Sequence, residues 1–231
     1  MTDTSLPPES QPTAWSVVLR AADAKDPHFR TALNRLCEMY WRPAYVYARR
    51  RGLSPEESED AVQGFFAAFI ERDCLAGITR EGGRFRSFML TSLDHYLIDR
   101  RRRARARDDG ALTFRLDFAR AEAELTIEAP QVAYERSWAE ATLARAFDAL
   151  CREFEYRGQR ERFDLLSAHL TGERASYEEI ARKLSMTVSD VRDLLHRTRE
   201  RLRRLVREAV RETVAQDSEV DEEVRALFKA L

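Results

Sequence analysis

Apolar side chains recur every three or four residues over most of the chain, which is the spacing that gathers them on one face of an α-helix. One such stripe runs from Pro55 to about Arg72, and a second runs from Phe85 to Leu97. Glycine and proline, which interrupt helices, number only 8 and 7 among 231 residues. The pattern therefore predicts an all-α protein.

Start and stop signals divide these patterns into separate helices. A helix is expected over residues 14–24, after a polar, proline-rich tail at 1–13 that we predict to be disordered. Ser54-Pro55-Glu56-Glu57 predicts a helix start, because proline suits the first position and acids face the positive end of the helix dipole. A glycine-containing loop is expected at 73–83, and Arg42-Pro43 either interrupts the preceding helix or begins another.

The charge pattern separates two parts of the chain. Six arginines occupy the eight positions from Arg100 to Arg107, and residues 108–145 then hold eight acids against four arginines. We predict two helical domains, 14–107 and 138–213, joined by an acidic linker at 108–137. Residues 214–231 form a C-terminal extension whose apolar stripe either packs on the protein itself or binds a regulator.

The stretch from Tyr177 to Leu202 predicts two helices joined by a tight turn. Ser176 is placed to cap the first helix in a capping box with Glu179. Ser185 and Met186 make the break, and Thr187 is placed to cap the second helix. One side of that second helix is apolar and the other is basic, which is typical of the helix-turn-helix that enters the major groove of DNA. An ordinary helical hairpin with a solvated charged face is the alternative.

The net charge of −1 gives the whole chain no general attraction to polyanions. Arginine far outnumbers lysine, however, and the planar guanidinium suits phosphates and base edges better than an ammonium does. The run from Arg100 to Arg107 is therefore a candidate phosphate-binding segment. Its alternative is a solvated helix end stabilised by the helix dipole.

Residue patterns typical of catalysis are scarce. The four histidines and three cysteines are scattered, without the spacing of a zinc site or a nucleophile with its base. Glu57, Glu59 and Asp60 could form the metal site of a nuclease, but carboxylates at a helix start more often serve the dipole. We predict no enzyme and no cofactor, and we expect a cytoplasmic protein with no signal peptide and no membrane insertion.

Two blocks of the sequence together resemble the extracytoplasmic-function (ECF) class of bacterial sigma-70-type factors. The first block comprises residues 59–66, residues 83–88 and Leu97-Ile-Asp99 with the arginine run that follows. The second block is the stretch from Tyr177 to Leu202. The resemblance implies a dissociable subunit that binds core RNA polymerase (its β′ and β subunits) and recognises promoter DNA. A stand-alone helix-turn-helix regulator is the alternative, and an anti-sigma factor or other regulator as a further partner is left open.

The resemblance also implies roles for individual residues. Those that would dock on core polymerase are Glu59, Asp60 and Gln63. Those that would engage the −10 element and its opened strand are Arg84, Arg86, Ser87, His95, Arg100, Arg101, Arg102 and Arg103. Those that would read the −35 element are Ser189, Arg192, His196, Arg197 and Arg199.

The chain departs from the pattern of the family at several positions. Gly64 stands where the family usually has glutamate, and a glycine inside a helix costs about 1 kcal/mol relative to alanine. His95 stands where asparagine is usual. Asp190 and Asp193 replace small or hydroxyl residues, and they would repel phosphates unless they accept hydrogen bonds from cytosine amino groups.

Overall fold

The computed structural model of the protein describes residue 18 and residues 26–71, 84–104, 128–172, 176–214 and 216–231. Within these segments there are eight α-helices and one short 3-10 turn, and no strand. The predicted all-α class is confirmed. The tail at 1–13, the loop at 73–83 and residues 108–127 of the predicted linker lie outside the described residues, as does most of the helix expected at 14–24.

The helices are numbered here in chain order. They are α1 (Phe29–Arg50), α2 (Pro55–Glu71), α3 (Phe85–Ala104), α4 (Pro130–Tyr156), α5 (Arg160–Leu170), α6 (Tyr177–Leu184), α7 (Val188–Arg211) and α8 (Val220–Ala230), with the 3-10 turn at Asp217–Glu219. The chain divides into two compact units. The first comprises Met1–Trp138 and Arg211–Val220, and the second comprises Ala139–Val210 and Asp221–Leu231. None of the described helices is long and apolar enough to cross a lipid bilayer.

The core of the first unit is rich in aromatic rings from α1, α2 and α3. Tyr40 of α1 meets Phe85 of α3 edge to face at 5.3 Å between ring centroids, and Phe65 of α2 meets Tyr96 of α3 at 5.8 Å. Helix α1 runs without interruption through Pro43, which is buried. The predicted apolar stripe of α2 is buried at Val62, Phe65, Phe66 and Phe69.

Gly64 has a role in the packing of α2 against α3. The sequence did not indicate this role, since Gly64 was noted only because it stands where the family usually has glutamate. A Cβ atom added to Gly64 would lie far inside van der Waals contact of the Tyr96 hydroxyl, whereas the next nearest atom, Tyr96 Cζ, would be 3.5 Å away. Glycine therefore allows the ring of α3 to lie directly against the backbone of α2.

The beginning of α4 is part of the first unit. Arg86 of α3 is buried and pairs with Glu135, and its guanidinium carbon lies 4.6 Å from the centroid of the Trp138 ring. The hydroxyl of Tyr134 donates to the carbonyl of Arg86 at 3.1 Å. Trp138, which the sequence prediction placed at the start of the second domain, is buried with these residues, and the first unit extends through it.

The second unit is built around Phe163 of α5, which contacts Phe147 and Phe154 of α4 at 5.3 and 5.6 Å between centroids. Glu153 of α4 accepts from Arg201 of α7 at 3.0 Å, which ties two helices across this core.

In the C-terminal extension Val220 and Leu227 are buried, so this segment packs on the chain. Phe228 and Leu231 remain 57% and 50% exposed.

Candidate nucleic-acid interface

The connection between α6 and α7 forms where the sequence signals predict it. The hydroxyl of Ser176 accepts from the backbone N–H of Glu179 at 3.4 Å, and Ser185 ends α6 in the left-handed region, with φ of 53° and ψ of 45°. Helix α7 then begins at Val188, three residues after Ser185. The reciprocal bond of the predicted capping box would run from the backbone N–H of Ser176 to the carboxylate of Glu179. It is replaced by an ion pair, because that carboxylate pairs with Lys183 at 3.0 Å.

Asp190 caps the start of α7 together with Thr187. The Thr187 hydroxyl accepts from the backbone N–H of Asp190 at 3.2 Å, and the backbone N–H of Thr187 donates to the Asp190 carboxylate at 3.1 Å. These two reciprocal bonds satisfy helix N–H groups that otherwise lack partners. Hydrogen bonds from the side chain and then the backbone of Thr187 lower the pKa of Asp190. Sequence reasoning treated Asp190 only as a charge facing DNA, although Thr-x-x-Asp is itself a capping signal.

Replacing Thr187 with alanine should lower the free energy of unfolding by about 1 kcal/mol, because α7 loses its N-terminal cap. Urea titration followed by circular dichroism measures this, and Thr187→Ser, which keeps the hydroxyl, serves as the control. Because the pKa of Asp190 is lowered in the fold, the hydrogen bonds between its carboxylate and Thr187 stabilise the folded state at neutral pH. This contribution should be lost as the pH falls below about 4, the ordinary pKa of aspartate. An alanine variant as stable as the serine variant would contradict the capping role.

Helix α7 separates a buried face from an exposed one. Val191, Leu195 and Thr198 are buried in the second unit. All five residues predicted for the −35 element are exposed. They are Ser189, Arg192, His196, Arg197 and Arg199. Asp193 is exposed as well, and its carbonyl accepts from the Nε of Arg197 at 3.3 Å.

Two arginines of this exposed face contact the helices next to them. The guanidinium carbon of Arg192 lies 5.8 Å from the centroid of the Tyr177 ring, and that ring stacks on His169 at 4.8 Å with 12° between the planes. Arg199 donates to the carbonyl of His169 at 3.3 Å. Tyr177 and His169 thus contact the basic face of α7. No local pattern in the sequence indicated that Tyr177 or His169 would contact this face.

A second basic region lies where the ends of α1 and α3 meet. Arg101 donates to the carbonyl of Arg51 at 2.8 Å, and Arg51 pairs with Asp94 at 3.0 Å. The hydroxyl of Tyr47 donates to the same Asp94 carboxylate at 2.8 Å. Burial, and then this hydrogen bond, raise the pKa of Tyr47 to about 12.

Glu57 at the start of α2 lies close to the same region. Its carboxylate accepts from the backbone N–H of Ser54 at 2.8 Å, and its own N–H donates to the Ser54 hydroxyl at 3.2 Å. The bond from the Ser54 backbone, more than the nearby Arg100 and Arg101, lowers the pKa of Glu57. Glu57 is therefore a capping residue. In the described segments no group of three or more His, Cys, Asp or Glu residues could hold a metal ion.

The residues predicted to contact the −10 element differ in their exposure. Ser87, His95, Arg101 and Arg102 are exposed, whereas Arg84 and Arg100 are half-buried. The side chain of Arg103 lies outside the described residues. Arg86 requires a correction: its guanidinium is buried between Glu135 and Trp138, so it is not available to a phosphate or a base.

The residues predicted to dock on core polymerase lie within one turn of α2. Asp60 is exposed, and Glu59 and Gln63 are half-buried. They flank the buried positions Ala61 and Val62, which anchor this turn in the core of the first unit. The exposed carboxylate of Asp60 therefore lies on a helix turn whose other side is buried.

No protein-family model, curated protein or solved structure matches the chain. Among the described residues, exposed arginines gather on one face of α7 and at the joined ends of α1 and α3.

Proposed function

We propose that the protein is a sigma factor of the ECF class, which binds core RNA polymerase and directs promoter-specific initiation of transcription. The observation that carries this proposal is the exposed basic face of α7. It follows a capped tight turn, and the opposite side of the helix is buried. A helix held in this way can enter the major groove without losing its packing.

The proposed −35 contacts follow from the chemistry of that face. Arg192 and Arg197 offer planar forks that can donate two hydrogen bonds to guanine O6 and N7. Ser189 lies one residue after the helix start, where residues of a recognition helix reach base edges. Asp190 is occupied by Thr187, so the carboxylate is engaged in capping rather than directed at a base.

The proposed −10 contacts lie on α3. His95 is exposed midway along this helix, and Arg101 and Arg102 are exposed near its end. Arginine can bind the phosphates of an opened strand and can stack on its bases. Arg86 has no direct part in this proposal, because its guanidinium is buried against Glu135 and Trp138 within the first unit.

The proposed docking surface distinguishes a sigma factor from a simple regulator. Asp60, with Glu59 and Gln63, offers an acidic and amide surface that suits a basic partner helix of the polymerase. A stand-alone regulator has no need of such a surface.

Replacing Asp60 with arginine should weaken binding to bacterial core RNA polymerase by about 30-fold or more, because the charge would be reversed within the interface. A pull-down of purified full-length protein with core polymerase measures this. Glu38→Arg is the matched control, since Glu38 is an exposed acid on another helix of the same unit. It should bind as the wild type does.

Two other outcomes would count against the proposal. If Asp60→Arg bound core polymerase as tightly as Glu38→Arg does, this turn of α2 would have no docking role. A wild-type protein that binds duplex DNA sequence-specifically, yet never binds core polymerase, would favour the stand-alone regulator.

A further inference from the structure

The end of α5 and the start of α6 together support the exposed face of α7. Tyr177 is the first residue of α6, and its ring stacks on His169 with 4.8 Å between centroids and 12° between the planes. His169 lies one residue before the end of α5. Arg199 of α7 donates to the His169 carbonyl at 3.3 Å, so the stacked pair is fastened to the helix whose face it contacts. These residues all belong to the second unit.

Arg192 lies over the ring of Tyr177. Its guanidinium carbon is 5.8 Å from the ring centroid, which is within the range where the face of an aromatic ring attracts a cation. Arg192 is exposed, whereas Tyr177 is half-buried and stacked on His169, so the ring is the more restrained of the two partners. The N–H groups of a guanidinium lie in its plane, and contact through its face leaves them able to donate to another group.

An acidic side chain, that of Glu178, lies near the same arginine. Its carboxylate accepts from the Ser176 hydroxyl at 2.7 Å, and this bond, much more than the charge of Arg192, lowers the pKa of Glu178. Glu178 and Arg192 are both exposed, and the attraction between exposed charges is weak in water. Contact with the Tyr177 ring is therefore the restraint on Arg192 that the geometry supports.

We infer that Tyr177 is a positioning residue for DNA recognition, which holds the guanidinium of Arg192 ready to donate to a guanine in the major groove. The inference rests on the proposed function and deepens it, because it names a residue outside α7 on which base specificity depends. An arginine side chain loses rotamer freedom when it binds a base, and one that is restrained beforehand loses less. Tyr177 therefore acts on specificity through Arg192.

Arg197 provides a matched control on the same helix. It is exposed, as Arg192 is, but its Nε donates to the carbonyl of Asp193 in its own helix at 3.3 Å. Removing the ring of Tyr177 should therefore weaken the preference for the base that Arg192 reads and leave the preference set by Arg197 unchanged. A loss of both preferences would instead indicate that the whole of α7 is disturbed.

The test is in vitro selection from duplex DNA with a randomised segment, by the full-length protein alone and bound to core RNA polymerase. Arg192→Ala and Arg197→Ala identify the base pair that each arginine reads, since each should lower the preference for guanine there about 10-fold. Tyr177→Leu should lower the preference at the Arg192 position about threefold, which is the effect of losing an exposed cation–π contact. Tyr177→Phe keeps the ring and should retain the wild-type preference at both positions.

The outcomes separate this inference from the proposed function. If Tyr177→Leu keeps the wild-type preference at both positions, or if Arg192→Ala relaxes no position, the inference is overturned while DNA recognition by α7 stands. If Tyr177→Leu weakens both positions equally, or if Tyr177→Phe behaves as Tyr177→Leu does, the ring does not act through Arg192 and the inference is again overturned. If the wild type selects no sequence with or without polymerase, the proposed −35 recognition fails and the inference fails with it.

Discussion

Replacing Glu135 with alanine should lower the free energy of unfolding by about 3 kcal/mol, because the buried guanidinium of Arg86 loses the carboxylate that pairs with it. The side chain of Arg86 is only 6% exposed, so water cannot readily replace that carboxylate. Urea unfolding monitored by tryptophan fluorescence measures the change, since Trp138 lies against the same guanidinium.

The double variant Arg86→Met/Glu135→Ala tests the cause of this loss. Removing the charge together with its partner should restore part of the stability, because no guanidinium then has to be buried without its carboxylate. Glu38→Ala is the control for removal of an exposed acid in the same unit, and it should change stability by less than about 0.5 kcal/mol. If Glu135→Ala were as mild as Glu38→Ala, the ion pair would contribute little to the stability of the first unit.

Replacing Gly64 with alanine should destabilise the protein by about 2 kcal/mol, although alanine is the better helix former. The added methyl would meet the Tyr96 hydroxyl at the end of a rigid ring that is packed against Phe65. Either the ring or the backbone of α2 would therefore have to move. Thermal unfolding and urea titration both report this change.

Tyr96→Phe should reverse the sign of the Gly64 substitution. Without the hydroxyl, the nearest remaining atom to the new methyl is the ring carbon Cζ, at an ordinary van der Waals distance of 3.5 Å. In that background Gly64→Ala should stabilise the protein by up to about 1 kcal/mol, which is the helix preference of alanine over glycine. Stabilisation by Gly64→Ala in the wild-type background would mean that the close approach of the ring does not govern this position.

Local signals in the sequence predicted helices α2, α3, α6 and α7 and several of their ends. The Ser54-Pro55 start of α2, the Ser176 cap and the break at Ser185 all depend on residues within a few positions of one another. Short-range backbone chemistry is what these signals encode. That is why they could be predicted without any tertiary structure.

Contacts between distant residues could not be predicted in the same way. Arg86 and Glu135 are 49 positions apart, and each belongs to a helix with its own local pattern. The family resemblance therefore assigned Arg86 to DNA, whereas packing buries it. Arg51 and Arg101 are brought together only because α1 and α3 pack against each other. The arginine run from Arg100 to Arg107 was therefore predicted without its neighbours from α1.

The division of the chain into two units has a consequence for its synthesis. The segment from Arg211 to Val220 belongs to the first unit, although the chain of the second unit from Ala139 to Val210 precedes it. Arg35 and Glu212, which pair within that first unit, are 177 positions apart. A ribosome releases the N-terminal residues first. The last segment of the first unit is therefore translated only after Ala139–Val210 of the second, and the Arg35–Glu212 pair cannot form until synthesis has passed Glu212.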